Sequence, residues 1–552
     1  MTQFDGETDT GHAPSDREMR ETLWDVIVIG TGMGGAALGY RLAQSGKKVL
    51  FCEQGRSFAG PSSDSMLTGG FAETFFARGT DHSEVLARSG RFNKSIEDRS
   101  KGAVRRYTPL LGSGTGGSTL LYGAVLERFH PGDFSPRKYF PGAADAALPE
   151  TWPISYEDLR PYYQEVETLF QVRGTLDPLQ AAWQDPLLQP APISGVGAEF
   201  FDLLQKKGCH PFRTPVALKK GLECLDCTGY VCSQSCKSDA LNVFLRPALE
   251  KYGARLLDQC RVEKIEASRT RVDSVVCIHA GEVKSFKAKA IVLAAGAIES
   301  PCLLLRSESR HWPNGLANDS GLVGRNLMRH FLDFYVVQPH ARDGMAFPLK
   351  EISINDLYFE AAGNKWGTLK SFSAFPPPDV IFADLKDDLR NSRWAGLSPL
   401  LSMTKPIIKT ALEKLLSGSL YFASIIEDLP YSDNRVWPTE TGEGIQLQYK
   451  ISSFDATRIS ACRQRVRQIL HPYRTRLLPL AKKNKQLAHV CGTCRFGMNP
   501  KESVLDADNK AHALDNLYLV DSSFFPSSGG TNPALTIGAN ALRVASKLLA
   551  RI

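Results

Sequence analysis

The chain has 552 residues, 43% of them hydrophobic and 23% charged, and a net charge of +7. That length exceeds one ordinary core and points to two domains. The small positive excess gives no basis for a nucleic-acid partner, and no apolar run is long enough to cross a bilayer. Residues 1–22 lack the apolar stretch of a secretory leader and read as a disordered tail on a cytoplasmic protein. Twelve cysteines scattered over such a length do not form a secreted disulfide framework.

In chain order, 25–30 is a β-branched run ending in glycine and predicts a buried strand, 36–45 a helix, and 47–53 a second strand. Between them lies Gly30-Thr-Gly-Met-Gly-Gly35. Gly30 permits a tight turn, Gly32 lets backbone approach a pyrophosphate, and Gly35 lets the helix pack on the strand, with Gly34 in the same cradle. The helix N-terminus then faces the phosphates. Glu53 ends the second strand, where a carboxylate takes ribose hydroxyls and disfavours a 2′-phosphate. A second loop, Leu111-Gly-Ser-Gly-Thr-Gly-Gly-Ser-Thr119, allows Gly114, Gly116, Gly117 and Ser118 to lie flat against a ligand.

Cys224, Cys227, Cys232 and Cys236 have the spacing C-x2-C-x4-C-x3-C. Four thiolates so placed can hold zinc or an iron–sulfur cluster, yet the spacing fits no standard motif, and thiols or disulfides are the preferred reading. Residues 254–265 contain another strand. Residues 290–296 form a buried strand ending at Gly296, with a helix over 297–306. Nucleotide-domain strands thus recur late, so that domain is discontinuous: 23–130, 221–330 and 487–552. The inserts 131–220 and 331–486 build a second domain. Ile445-Gln-Leu-Gln-Tyr-Lys450 alternates as a half-buried antiparallel strand, predicting a mostly antiparallel sheet above the ligand. The fold class is α+β with an α/β Rossmann-like part.

Residues 397–416 mix apolar residues with lysines and suit a lid over a lipophilic substrate or a weak membrane-surface contact, against ordinary packing. Glu427 follows an apolar run and reads either as a carboxylate carried to the substrate side or as a salt-bridge partner of Arg435 or another base. Near the end, His489-Val-Cys-Gly-Thr-Cys-Arg-Phe-Gly497 holds one histidine, and Gly529-Gly-Thr-Asn-Pro-Ala-Leu-Thr-Ile537 reads as a helix start, with Asn532 as cap and Pro533 at the first helical position. His512 is the rival histidine.

These pieces together resemble the glucose–methanol–choline (GMC) family of FAD-dependent oxidoreductases. The matching residues are Gly30 to Gly35 with Glu53, the Gly112 to Gly117 loop, and Trp152-Pro-Ile-Ser-Tyr-Glu-Asp-Leu-Arg-Pro-Tyr-Tyr163. Others are Ala294-Ala-Gly-Ala-Ile-Glu-Ser-Pro301, Gly324-Arg-Asn-Leu327 and the two terminal motifs, so the likeness runs from about residue 24 to the end. The resemblance implies an FAD domain with a substrate domain, and oxidation of a small-molecule alcohol to a carbonyl by hydride transfer to flavin N5. It implies that His489 and Asn532 are the active-site pair, His489 as general base, that Asp521 lies beside the flavin, and that the backbone of Val262 touches the adenine end. Some relatives attach flavin through a histidine in the middle glycine loop. Residues 117–122 contain none, so non-covalent FAD is expected. Oxygen or another acceptor takes the electrons. The alternative is a non-catalytic flavin-binding or electron-transfer protein.

Overall fold

The computed structural model describes residues 19, 21–59, 69–76, 81–219, 227–339, 350–359, 364–372, 376–390, 392–484 and 487–552. The expected tail as far as residue 18, and Cys224, lie outside the described residues. Among the described residues no helix is long and apolar enough to cross a membrane.

The first sheet grows from β1 (Leu23–Ile29), whose Val26 to Ile29 run is buried on both faces, as a central parallel strand requires. It pairs in parallel with β2 (Val49–Cys52) and with the second half of β9 (Glu282–Leu293). β6 (Arg255–Leu257) adds to β2, and β17 (Leu517–Leu519) to the end of β9, both in parallel. The first half of β9 turns instead into an antiparallel meander with β8 (Val272–His279) and β7 (Arg261–Ala267). Three distant stretches of chain therefore share one sheet. Its register aligns Ile29 with Cys52 and Leu293, and Leu293 with Leu519. The loops that begin at Gly30, Glu53, Ala294 and Val520 thus leave the sheet side by side, at the carboxyl edge where open α/β sheets bind ligands.

Helix α1 (Met33–Gln44) starts three residues earlier than the sequence suggested and takes Gly34 and Gly35 into its first turn. A Cβ at Gly35 would overlap the Gly30 carbonyl, and one at Gly34 the Val520 carbonyl. Only glycine lets the helix settle this close to both strands. α2 (Tyr156–Phe170) and α7 (Ala534–Leu549), the latter buried all round over 538–545, pack with α1 to form this layer.

The second sheet is antiparallel throughout, in the order β16 (Arg474–Leu478), β10 (Phe331–Gln338), β13 (Leu420–Ile426), β12 (Gly367–Phe372), β11 (Ile352–Ile354), β5 (Phe212–Arg213). This is the antiparallel sheet expected above the ligand. Residues 445–450 do not belong to it. β15 (Ile445–Gln448) alternates buried and half-buried as expected, but pairs with β14 (Arg435–Pro438) and β3 (Ile96–Asp98) in a small sheet completed by β4 (Arg105–Tyr107). Register places Leu332 opposite Ile425, Phe334 opposite Ala423 and Leu478, and Ala423 opposite Lys370. With a two-residue period these side chains share one face. Helices α4 (Pro378–Arg390), α5 (Ser398–Met403) and α6 (Lys405–Leu416) cover that face, and Leu416 and Ile381 pack on Val336 and Tyr421. Helix α3 (Gly296–Arg306) follows β9.

Candidate active site

A continuous cleft of about 1540 Å³ runs from the carboxyl edge of the first sheet to the covered face of the second. It exceeds the volume usual for one small ligand, so an extended dinucleotide and a substrate fit together. Gly30, Gly32, Gly34, Glu53, Gly114, Gly117, Ser118, Val262, Gly296, Asp521, His489, Asn532 and Pro533 all line it. Gly35 and Gly116 do not. Gly35 serves the helix–strand packing described above, and Gly116, at φ +96°, turns the second glycine loop.

The nucleotide end is mostly backbone. Gly30 has φ +97°, and a Cβ there would overlap the Ala294 carbonyl. The two glycine loops meet where Gly117 faces the Gly32 Cα. The Glu53 carboxylate accepts from Thr31 N (3.1 Å), Thr31 Oγ1 (2.6 Å) and Gly55 N (2.9 Å). A carboxylate has about four acceptor sites, so one remains for a ribose hydroxyl. Asp521 accepts from Gly296 N (2.9 Å), Ser300 Oγ (2.5 Å) and Ser523 N (2.8 Å), tying the β9 and β17 loops together. Burial pushes its pKa up. Side-chain-free backbone at the turn, an acid after β2 and a helix N-terminus between them fit an adenine dinucleotide such as FAD.

At the other end, His489 and Asn532 meet. His489 is half-buried in the cleft wall and has φ +58°, a left-handed conformation that costs a non-glycine residue of order 1 kcal/mol or more. It is fixed there because Met328 and Cys491 form an antiparallel bridge and His330 N donates to Ala488 O (3.0 Å), which brings His330 against His489. The two Nδ1 atoms are 2.8 Å apart. His330 Nε2 faces two carbonyls, Gly529 O at 2.8 Å and Ser528 O at 3.2 Å. Carbonyls only accept, so this nitrogen carries a proton. Burial pushes the His330 pKa down to about 4, so the ring is neutral and its Nδ1 is a bare acceptor. His489 Nδ1 is then the donor, and the His489 lone pair sits on Nε2, in the cleft.

The same logic orients Asn532. Lys370 Nζ donates to Asn532 Oδ1 (2.7 Å), Thr531 Oγ1 (2.9 Å) and Glu127 (2.8 Å). An ammonium cannot accept, so the amide oxygen must face it, and Nδ2 points to His489 Nε2 at 3.3 Å. Burial, then His330 and Lys370, hold the His489 pKa well below the ordinary histidine value. The site therefore offers a neutral imidazole lone pair beside an amide N–H.

His330, Lys370 and Glu127 were not singled out by sequence. His330 stands three residues after Gly324-Arg-Asn-Leu327, a signal that was available. Lys370 is a lone lysine in an apolar strand and gives no such signal.

Two expectations need correction. Asn532 is not the helix cap: α7 begins at Ala534, the cap is Pro533, whose carbonyl accepts from Ile537 N, and no side chain caps the helix. The Asn532 side chain is instead engaged by Lys370 and His489. Glu427 does not reach the substrate side. It follows β13 but turns into the core, where with Asp133 it pairs Lys365. Tyr358 donates to Asp133 (2.6 Å) and accepts from Gly530 N (2.7 Å), so this cluster anchors the loop before Asn532. Burial pushes the Glu427 pKa up, against the pull of Lys365.

His512 lies away from the cleft and contacts Ser503 Oγ at 2.8 Å. Arg495 donates to Ala147 O and Glu502 O and holds the terminal motif. Cys232 and Cys236 approach to 3.4 Å, and the neighbouring Cys227 thiol, foremost, draws the Cys232 pKa down. Among the described residues no group of three or more His, Cys, Asp or Glu is arranged to hold a metal ion.

Comparison with known proteins identifies this architecture. Residues 25–88 match an FAD binding domain, and residues 100–332 and 430–541 match the two halves of the GMC oxidoreductase profile. The 6'''-hydroxyparomomycin C oxidase of Streptomyces lividus is 28% identical, over 96% of this chain and 92% of that protein. The 2-methyl-1,2-propanediol dehydrogenase of Mycolicibacterium austroafricanum is 26% identical, over 94% of each. The crystal structure of pyridoxine 4-oxidase from Mesorbium loti superposes with a TM-score of 0.61 at 19% identity, over 95% of this chain and 99% of that one, and so shares the fold. The chain belongs to the GMC oxidoreductase family, FAD-dependent enzymes acting on CH–OH groups.

Proposed function

We propose that the protein oxidises an alcohol to a carbonyl with His489 as the general base. One observation carries this reading: the His489 Nε2 lone pair and the Asn532 N–H lie 3.3 Å apart in the same cleft as the glycine cradle. FAD, when bound, accepts the hydride that leaves the carbinol carbon. The rest falls to the side chains. His489 Nε2 takes the hydroxyl proton, and its depressed pKa keeps it neutral and available at neutral pH. The same depression makes it a weak base, so the oxygen needs help as its charge grows. Asn532 Nδ2 donates to that oxygen, and the Lys370 ammonium behind the amide polarises it. Glu127 holds Lys370 charged against burial, which pulls its pKa down.

The electron acceptor is oxygen or another oxidant, and peroxide release during turnover separates the two. FAD is held non-covalently, because residues 117–122 carry no histidine; acid precipitation should release the yellow colour to the supernatant. The reading itself is tested by anaerobic mixing with a panel of polar and lipophilic alcohols. Bleaching of the flavin by at least one alcohol is expected. Bleaching by a protein redox partner but by none of the alcohols would instead support electron transfer without catalysis.

A further inference from the structure

The helical cover over the substrate end has an outer face that a protein in water does not explain. Trp394, Leu397, Leu400, Met403 and Ile407 are 55%, 48%, 58%, 77% and 72% exposed. They fall within fourteen residues, on α5, α6 and the turn before them. Leu400 and Met403 lie one turn apart on α5, and Ile407 follows on α6, across the break at Thr404. Scattered apolar residues on a surface are ordinary, but a contiguous row marks an interaction site.

Charge indicates the partner. Residues 390–416 contain five basic side chains, Arg390, Arg393, Lys405, Lys409 and Lys414, and one acidic, Glu413. The rest of α4, by contrast, carries Asp379, Asp384, Asp387 and Asp388 against Lys386, with Asp384 and Asp388 paired to Lys483. Arg393 lies over the Trp394 ring at 5.0 Å, an amphipathic pair suited to a water–lipid boundary. Lys405 and Lys409 also reach Asp379 on α4, at 3.0 and 3.1 Å, so part of their charge is neutralised within the cover. A second copy of the chain would set this basic rim against itself in a symmetric dimer. An anionic lipid surface would take both the apolar row and the rim.

The inner side of the cover agrees. Ser402 and Lys405 line the cleft, together with Val380, Ile381 and Phe382 of α4. Opposite them, the sheet presents Leu332, Phe334, Phe372, Ala423, Ile425 and Leu478, with Lys370 at its end. The chamber is apolar on its sheet side, while α4 also adds Asp379, Asp384, Lys386, Asp387 and Arg390 to its lining.

We propose that the outer face of α5 and α6 docks on an anionic lipid surface, and that the substrate is a lipophilic alcohol taken up from that surface. Uptake rests on the alcohol oxidation proposed above, while docking does not. Flavin-loaded full-length protein is spun with vesicles of phosphatidylcholine alone and of phosphatidylcholine mixed with phosphatidylglycerol. The yellow protein should pellet with the mixed vesicles, less so at high salt, and only weakly with phosphatidylcholine alone. Met403→Glu combined with Ile407→Glu should weaken that binding about ten-fold or more. Met498→Glu, at a residue 77% exposed but outside the cover, should leave it unchanged. Flavin content and melting temperature confirm that each variant is folded. Wild-type protein that stays in the supernatant with both vesicles overturns the proposal. So does a double variant that binds like wild type, or one that dissolves a wild-type dimer. His489→Ala protein should still bind, so failure of the chemistry and failure of docking are read separately.

Discussion

The two ends of the cleft are built by different means. At the nucleotide end the chain itself is the site: four parallel strands stop in register, and the loops after them offer backbone and glycine. At the imidazole–amide end the side chains are the site. His489 is set by His330, His330 by the carbonyls of Ser528 and Gly529, and Asn532 by Lys370. Backbone sites tolerate no added atoms, whereas side-chain sites tolerate atoms but not a change in which group donates.

That contrast orders the expected effects. Gly34→Val should be the most severe, because its Cβ would overlap the Val520 carbonyl and backbone cannot yield as a side chain can. A colourless or unfolded product is expected from absorbance per chain, and full flavin content would break the comparison. Asn532→Ala should keep FAD yet slow anaerobic flavin reduction about 100-fold, the scale of losing one donor to a developing oxyanion. Lys370→Met must be paired with Glu127→Gln, since either alone leaves a buried charge unmatched. The pair should lower kcat about ten-fold with KM little changed, because the amide loses its orientation and not its presence.

The pH response is the smallest effect. His489 is depressed well below the ordinary histidine value, so it stays neutral as pH falls through about 6.5, and flavin reduction should show no step there. Stability behaves otherwise. His330 sits at about 4 when folded and near 6.5 when unfolded, so the unfolded chain binds the proton first. Its contribution is complete above about 6.5 and is lost as pH falls towards 4. Melting temperature against pH checks this sign.

The same contrast explains what the amino-acid sequence revealed. The strand, glycines, helix, strand and Glu53 are contiguous, and each obeys a local rule, so the nucleotide end was legible from spacing. His489 and Asn532 were reached through resemblance to a family, since a single histidine and an asparagine before proline carry no chemistry by themselves. Asn532 was misjudged by one residue, because Pro533 supplies the helix-starting carbonyl and frees the amide for Lys370. For Glu427 the apolar strand and the salt-bridge alternative hold and the substrate-side one does not: the chain turns inward after Ile426 to meet Lys365, a base 62 residues away. His330 just before β10, Lys370 on β12 and Glu127 in a loop gain their meaning only when the fold brings them beside the carboxyl-terminal loop.

The central claim is that a neutral imidazole with its lone pair on Nε2 removes the substrate proton. Anaerobic stopped-flow reduction of bound FAD by an alcohol that bleaches the wild-type enzyme, repeated with His489→Ala, tests it most directly. A fall of about two orders of magnitude or more with FAD still bound is the expected result. Reduction by the variant at a near-wild-type rate would contradict the account.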